Sequence, residues 1–110
     1  MNRGDVFRSQ QALVERGNKP GYYVLVSRQF IADNDDVSTV VCAPVYGEVL
    51  GIATEVVVGS AEGVPRRSAV RCDFLMLMFK HKLSTHVGTL TGKKIGELDQ
   101  ALAIALDLPA

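Results

Sequence analysis

Two short apolar runs constrain this chain most: Tyr22-Tyr-Val-Leu-Val-Ser-Arg28 and Thr39-Val-Val-Cys-Ala-Pro-Val-Tyr46. Both are rich in β-branched and aromatic residues and apolar at odd and even positions alike. That is the pattern of strands covered on both faces in the middle of a sheet. The stretch between them, Ala32-Asp-Asn-Asp-Asp-Val-Ser38, is too polar to bury and reads as a surface connection. A hairpin this apolar has to be covered by further strands. The ends of its two strands also bring Lys19, Tyr22 and Tyr46 toward one another, and the sequence places any chemistry there.

The 110 residues make one domain, residues 1–110, with room for a single core. No stretch approaches the roughly 20 apolar residues that a membrane helix needs. Met1-Asn-Arg-Gly-Asp5 has no apolar run behind it and is not a secretory signal, so the cytoplasm is the expected compartment. Cys42 and Cys72 both fall inside apolar patterns and read as two buried thiols rather than a disulfide. They have no metal-ligand spacing, and neither a metal nor a cofactor is expected.

The net charge of zero hides an asymmetry. Between residues 64 and 94 lie Arg66, Arg67, Arg71, Lys80, Lys82, Lys93 and Lys94 against a single acid, Asp73. One reading is solvated loop positions. The other is a local basic surface for a polyanion, since a neutral chain cannot bind nucleic acid by long-range steering alone.

Along the chain, residues 4–8 read as a short strand, and the polar, turn-rich segment 9–21 as a mobile loop. After the two central strands, residues 52–58 continue the sheet, and 59–68 form a second loop carrying Arg66 and Arg67. Residues 69–79 make the longest strand candidate, with Val70, Cys72, Phe74, Met76 and Met78 on one face and Arg71 and Asp73 close enough to pair on the other. Its later half is apolar on both faces, which suits a sheet centre or an interface with a second copy. Residues 85–90 form a last strand. Ile95, Leu98, Leu102, Ala105 and Leu106 then recur at helical spacing, with Thr91 as a cap and Pro109 as a stop. Short strands at regular intervals followed by one helix predict a mainly β fold, a small, strongly curved antiparallel barrel with a C-terminal helix.

In this order the signals resemble the MazF/PemK family of toxin endoribonucleases. The matching stretches are Arg3-Gly-Asp-Val-Phe7, Val24-Leu-Val-Ser27, Val40-Val-Cys-Ala-Pro-Val45, Cys72-Asp73, Val87-Gly-Thr-Leu90 and the closing helix 98–108. They span nearly the whole chain. The resemblance implies an SH3-like barrel and the toxin of a type II toxin–antitoxin system. It also implies a homodimer, a cognate antitoxin whose disordered tail wraps the toxin, and metal-independent cleavage of single-stranded mRNA. The family usually has an Arg-Pro pair just ahead of the second strand and a Thr or Ser after the Pro of the third. Here Tyr22-Tyr23 holds the first place and Val45-Tyr46-Gly47 follows Pro44, so both usual catalytic positions are altered.

Cutting RNA without a metal requires three things: drawing a proton from the ribose 2′-hydroxyl, stabilising charge on the phosphate oxygens and returning a proton to the leaving oxygen. The residues assigned to this work are Lys19, Tyr22 and Tyr46, with Arg16, Tyr23, Arg66 and Arg67 for binding RNA by charge and stacking. Tyr22 and Tyr23 point to opposite faces of one strand, so one of them is core. Arg28 lies on the face of Tyr22 but about 20 Å along a strand that rises ~3.3 Å per residue, out of reach of it. Arg71–Asp73 reads as a structural ion pair, and nothing places His81 or His86 near the hairpin ends. Two other readings compete with the nuclease. One is a toxin-fold protein that binds a protein target without cutting, as the related CcdB-like toxins do with a gyrase subunit. The other is a plain SH3-like interaction module.

Overall fold

The computed structural model describes residues 1–10 and 20–109. Its elements run β1 (Asp5–Ser9), β2 (Gly21–Leu25), α1 (Gln29–Asp33), β3 (Thr39–Tyr46), β4 (Glu55–Val58), β5 (Ser68–Arg71), β6 (Met76–Phe79), β7 (Thr85–Thr89) and α2 (Gly92–Ala105). The hydrogen-bonded order is β4-β5-β3-β2-β1-β7, with β6 also on β3. All these pairings are antiparallel. The expected mainly β fold, a strongly curved antiparallel sheet with a C-terminal helix, is the fold observed.

The two apolar runs are the middle of the sheet, as their two-sided pattern requires. Register pairs Tyr22 with Val45 and Leu25 with Cys42. Alternation then feeds two cores. Val24, Ala43 and Val45 join Val56, Val70 and Leu98 on one face. Tyr23, Leu25 and Cys42 join Phe7, Val40 and Met78 on the other. A sheet with a packed core on each face has no polar stripe along its central strands, which is why these strands show no simple alternation.

Three expectations are corrected. Residues 69–79 are not one strand: after Arg71 a 3₁₀ turn, Cys72–Phe74, separates β5 from β6. Both halves pair with β3. There β3 advances three residues, from Val45 to Cys42, while its partner uses six, from Val70 to Met76. The extra residues bend the strand where the sheet curls. The polar connection after β2 begins with helix α1, and β2 itself ends at Leu25. The Lys80 ammonium donates to the carbonyls of Ile31 (2.7 Å) and Asn34 (2.8 Å), a second donor to each beside the N–H groups of Asn34 and Val37, and ties the end of α1 to the segment after β6. Finally, Leu106 is exposed, and Ala101 is the buried residue that the helical stripe lacked.

Two glycines close the curl. Gly63, at φ +88°, and Gly88 in β7 lie backbone against backbone. A Cβ on Gly63 would collide with the Val87 carbonyl, and one on Gly88 with that of Glu62. The loop leaving β4, at one end of the sheet, is thereby seated on β7 at the other. Helix α2 covers the nearby core with Leu98 and Ala101. Thr91 Oγ1 accepts from the Lys94 N–H at its start (3.3 Å). The helix ends before Pro109: Leu108 N–H bonds to Ala103 O at 2.8 Å, with Asp107 in the left-handed region at φ 55°.

Candidate functional site

The start of β2, the end of β3 and the start of β5 lie at one end of the sheet because neighbouring strands run antiparallel. A cleft of about 410 Å³ opens there. Tyr22 and its partner Val45 line it, and the loop Val64-Pro-Arg66 and Ser68 form the facing wall. Gly47 adds a stretch of bare backbone. Tyr22 is half-buried, and Val64 anchors the loop in the core at 3% exposure. Ser68 Oγ donates to the Arg66 carbonyl at 2.9 Å, which fixes the loop's backbone. The cleft therefore presents a phenol, a hydroxyl and a guanidinium over an otherwise apolar lining. Such a surface can bind a phosphate by charge and a base by its flat face.

The assigned residues separate. Tyr22 and Arg66 meet in the cleft. Lys19 and Arg16 lie outside the described residues; Pro20, the next residue after Lys19 in the chain, lines the cleft. Tyr23 is corrected: its ring is fully buried in the second core and cannot stack on a base. Tyr46 is corrected too. With Tyr22 paired to Val45, alternation sends Tyr46 to the opposite face. There its ring meets Phe74 edge-on (centroids 5.7 Å apart), and the Arg71 guanidinium lies over Phe74 at 4.2 Å. Proximity of strand ends misled the sequence reading here, because it fixes neighbourhood along the sheet but not the face. Arg67 is exposed and is not among the residues lining the cleft.

Much of the basic segment serves the fold. Arg71 pairs with Asp73 at 2.7 Å, the expected structural ion pair. Lys94 reaches the Val57 carbonyl at 2.6 Å and Glu97 at 3.6 Å. With Lys80 also committed, the segment does not form one continuous basic face. Asp73 is held below the usual carboxylate range, chiefly by its bond from Arg71. Burial pushes Glu55 up, but N–H groups of Leu50, Ile52 and Gly51, with Arg71, outweigh it and leave it low. That carboxylate organises the loop leading into β4.

His86 belongs elsewhere. It lies in β7 opposite Phe7 of β1, its ring edge-on to Phe7 on the face of the second core and its Nε2 3.4 Å from the buried Asp5 carboxylate, which also accepts from Thr89 Oγ1 at 2.9 Å and Asn2 N at 2.7 Å. Cys42 and Cys72 are free and buried. Burial pushes the Cys42 thiol up to about 12 and, with Asp73 nearby, that of Cys72 to about 11. Neither is a nucleophile at neutral pH. Among the described residues no group of three or more His, Cys, Asp or Glu is placed to hold a metal ion. No helix among them is long and apolar enough to cross a membrane.

No protein-family model matches the chain, and no curated protein matches it significantly. Solved structures do. The Mycobacterium tuberculosis toxin MazF-mt6 superposes with a TM-score of 0.82 at 24% identity, covering 96% of this chain and 99% of that one. A mycobacterial endoribonuclease in complex with its cognate antitoxin gives 0.81 at 24% identity, over 100% of this chain and 98% of that one. A MazE–MazF structure from Deinococcus radiodurans gives 0.75 at 14% identity, over 99% and 97%. The fold is that of the MazF toxins, present nearly end to end.

Proposed function

We propose that this protein is the toxin of a type II toxin–antitoxin system, an endoribonuclease that cleaves single-stranded mRNA in the cytoplasm without a metal ion. The observation that carries the reading is the cleft at the strand ends. It holds a phenol and a guanidinium together, in a fold shared nearly end to end with MazF toxins. One of those neighbours is an endoribonuclease solved with its cognate antitoxin.

In the reaction the ribose 2′-oxygen attacks the adjacent phosphorus. The O2′–P bond forms as the P–O5′ bond breaks. The 2′-hydroxyl proton passes to solvent water and one is delivered to O5′, leaving a cyclic phosphate and a 5′-hydroxyl. Tyr22 Oη is the group in the cleft able to donate to the departing oxygen. The apolar lining around Val45 and Pro65 seats a base. Lys19 and Arg16, ahead of Pro20, supply further positive charge, and Arg67 holds the flanking backbone. The partners are single-stranded RNA, a cognate antitoxin and a second copy of the chain.

The test is incubation of the purified protein with single-stranded RNA in excess EDTA. We expect cleavage with a cyclic-phosphate end, reduced about 10²-fold in Tyr22→Phe, the usual worth of one positioned proton donor. Intact RNA, with growth arrest on expression and a captured protein target, would instead establish the non-cleaving, CcdB-like reading. Intact RNA with no growth arrest would leave an interaction module.

A further inference from the structure

The nuclease reading leaves one question open in this cleft: which group bears the charge that builds on the phosphate oxygens. A metal-free phosphoryl displacement needs a fixed cation there, and a guanidinium suits it because its donors are forked and permanently charged. Arg66 is the one charged side chain lining the cleft among the described residues. No carboxylate lines the cleft to neutralise it, and among the described residues none pairs with it.

Its position is built rather than incidental. The backbone of Arg66 is held on three sides, by the buried Val64, by the fixed φ of Pro65 and by the Ser68 hydroxyl on its carbonyl. The guanidinium then lies across Gly47. A Cβ at that position would come within 2.8 Å of Nη2 and 3.5 Å of Cζ and Nε. Gly47 is not in the left-handed region, so no turn demands glycine there. What its bare backbone supplies is room for the guanidinium, in the cleft that Tyr22 also lines. Two loops distant in sequence, one leaving β3 and one entering β5, thus shape a single cation seat.

We propose that Arg66 is the catalytic cation of this cleft. It donates to the non-bridging oxygens of the scissile phosphodiester and is positioned by the absent side chain of Gly47. It exchanges no proton; it stabilises the charge while the O2′–P bond forms and the P–O5′ bond breaks. The inference rests on the nuclease reading and deepens it.

The experiment measures kcat and KM for cleavage of a single-stranded RNA in EDTA by the full chain and four variants. Removing one such donor is worth about 10²–10³ in kcat, so Arg66→Ala should fall by that factor with KM nearly unchanged. Arg66→Lys, which keeps charge but loses the fork, should recover part of the loss. Gly47→Ala displaces the flexible tip of Arg66 and should lower kcat roughly tenfold, by the cost of a small misplacement, with thermal unfolding unchanged. Lys93→Ala removes an exposed charge on α2 and should behave as the unchanged chain. Binding of a 2′-deoxy analogue, which cannot be cleaved, should persist in Arg66→Ala. Cleavage by the unchanged chain together with full kcat in Arg66→Ala would overturn the inference and leave the nuclease standing. No cleavage by the unchanged chain would remove both.

Discussion

At the scale of single residues, Tyr22 and Tyr23 are adjacent in the chain and separated by the whole thickness of the sheet. One lines a cleft and the other fills a core with no exposed surface. The same scale holds the acid sensitivity of the fold. Asp73 and Glu55 both have folded-state values below their ordinary ones. The unfolded chain therefore takes up these protons at a higher pH than the folded one. Their contribution to stability is intact above about pH 4, where ordinary carboxylates titrate, and is lost as the pH falls from there through the folded values. The urea midpoint should decline below about pH 4. In Asp73→Asn that decline should be shallower, because the neutral amide has no proton to gain.

Among the elements, the contact between the loop after β4 and β7 decides whether the sheet curls shut. Gly63 and Gly88 meet there through their backbones. Unlike Gly47, which faces the movable end of a side chain, these two face peptide groups that cannot step aside. Gly88→Ala should destabilise the fold by about 1–3 kcal/mol, the usual cost of overpacking a filled site, as read by urea denaturation. Gly63→Ala adds left-handed strain of about 1–2 kcal/mol and should cost more than Gly88→Ala. If Gly88→Ala left the midpoint unchanged, the closure would not bear on stability.

For the whole molecule, the informative surface is β6. Among the described residues it pairs with β3 alone, which leaves its other edge without a partner strand there. Leu77 is 65% exposed and Phe79 51%, with Phe74 at 48% just before the strand. An open edge beside an apolar face invites another chain. The proposed homodimer is best served by this surface, and the sequence reading of 74–79 as a face for a second copy stands as that proposal. Leu77→Lys should shift the sedimentation equilibrium from dimer to monomer without changing the circular dichroism. A dimer that survives the change would place the interface elsewhere.

How much was legible in the sequence follows from what each signal encodes. Central strands buried on both faces announce themselves by composition, and a helical stripe by its period, so the fold and the closing helix could be read directly. The pairing of Arg71 with Asp73 was legible because it is local. The kink at Cys72–Phe74 was not, since an apolar run looks the same straight or bent. Nor was the tie from Lys80 to the end of α1, which joins positions far apart in the chain. Tyr46 was misplaced for a related reason: which face a strand end presents depends on register, and register is set by pairing with another strand. The sequence alone determined a curled antiparallel sheet closed by a helix, because burial patterns are written residue by residue. Only the tertiary structure decided that Arg66, Gly47 and Tyr22 share a cleft, because that proximity exists only once three strands have aligned their ends.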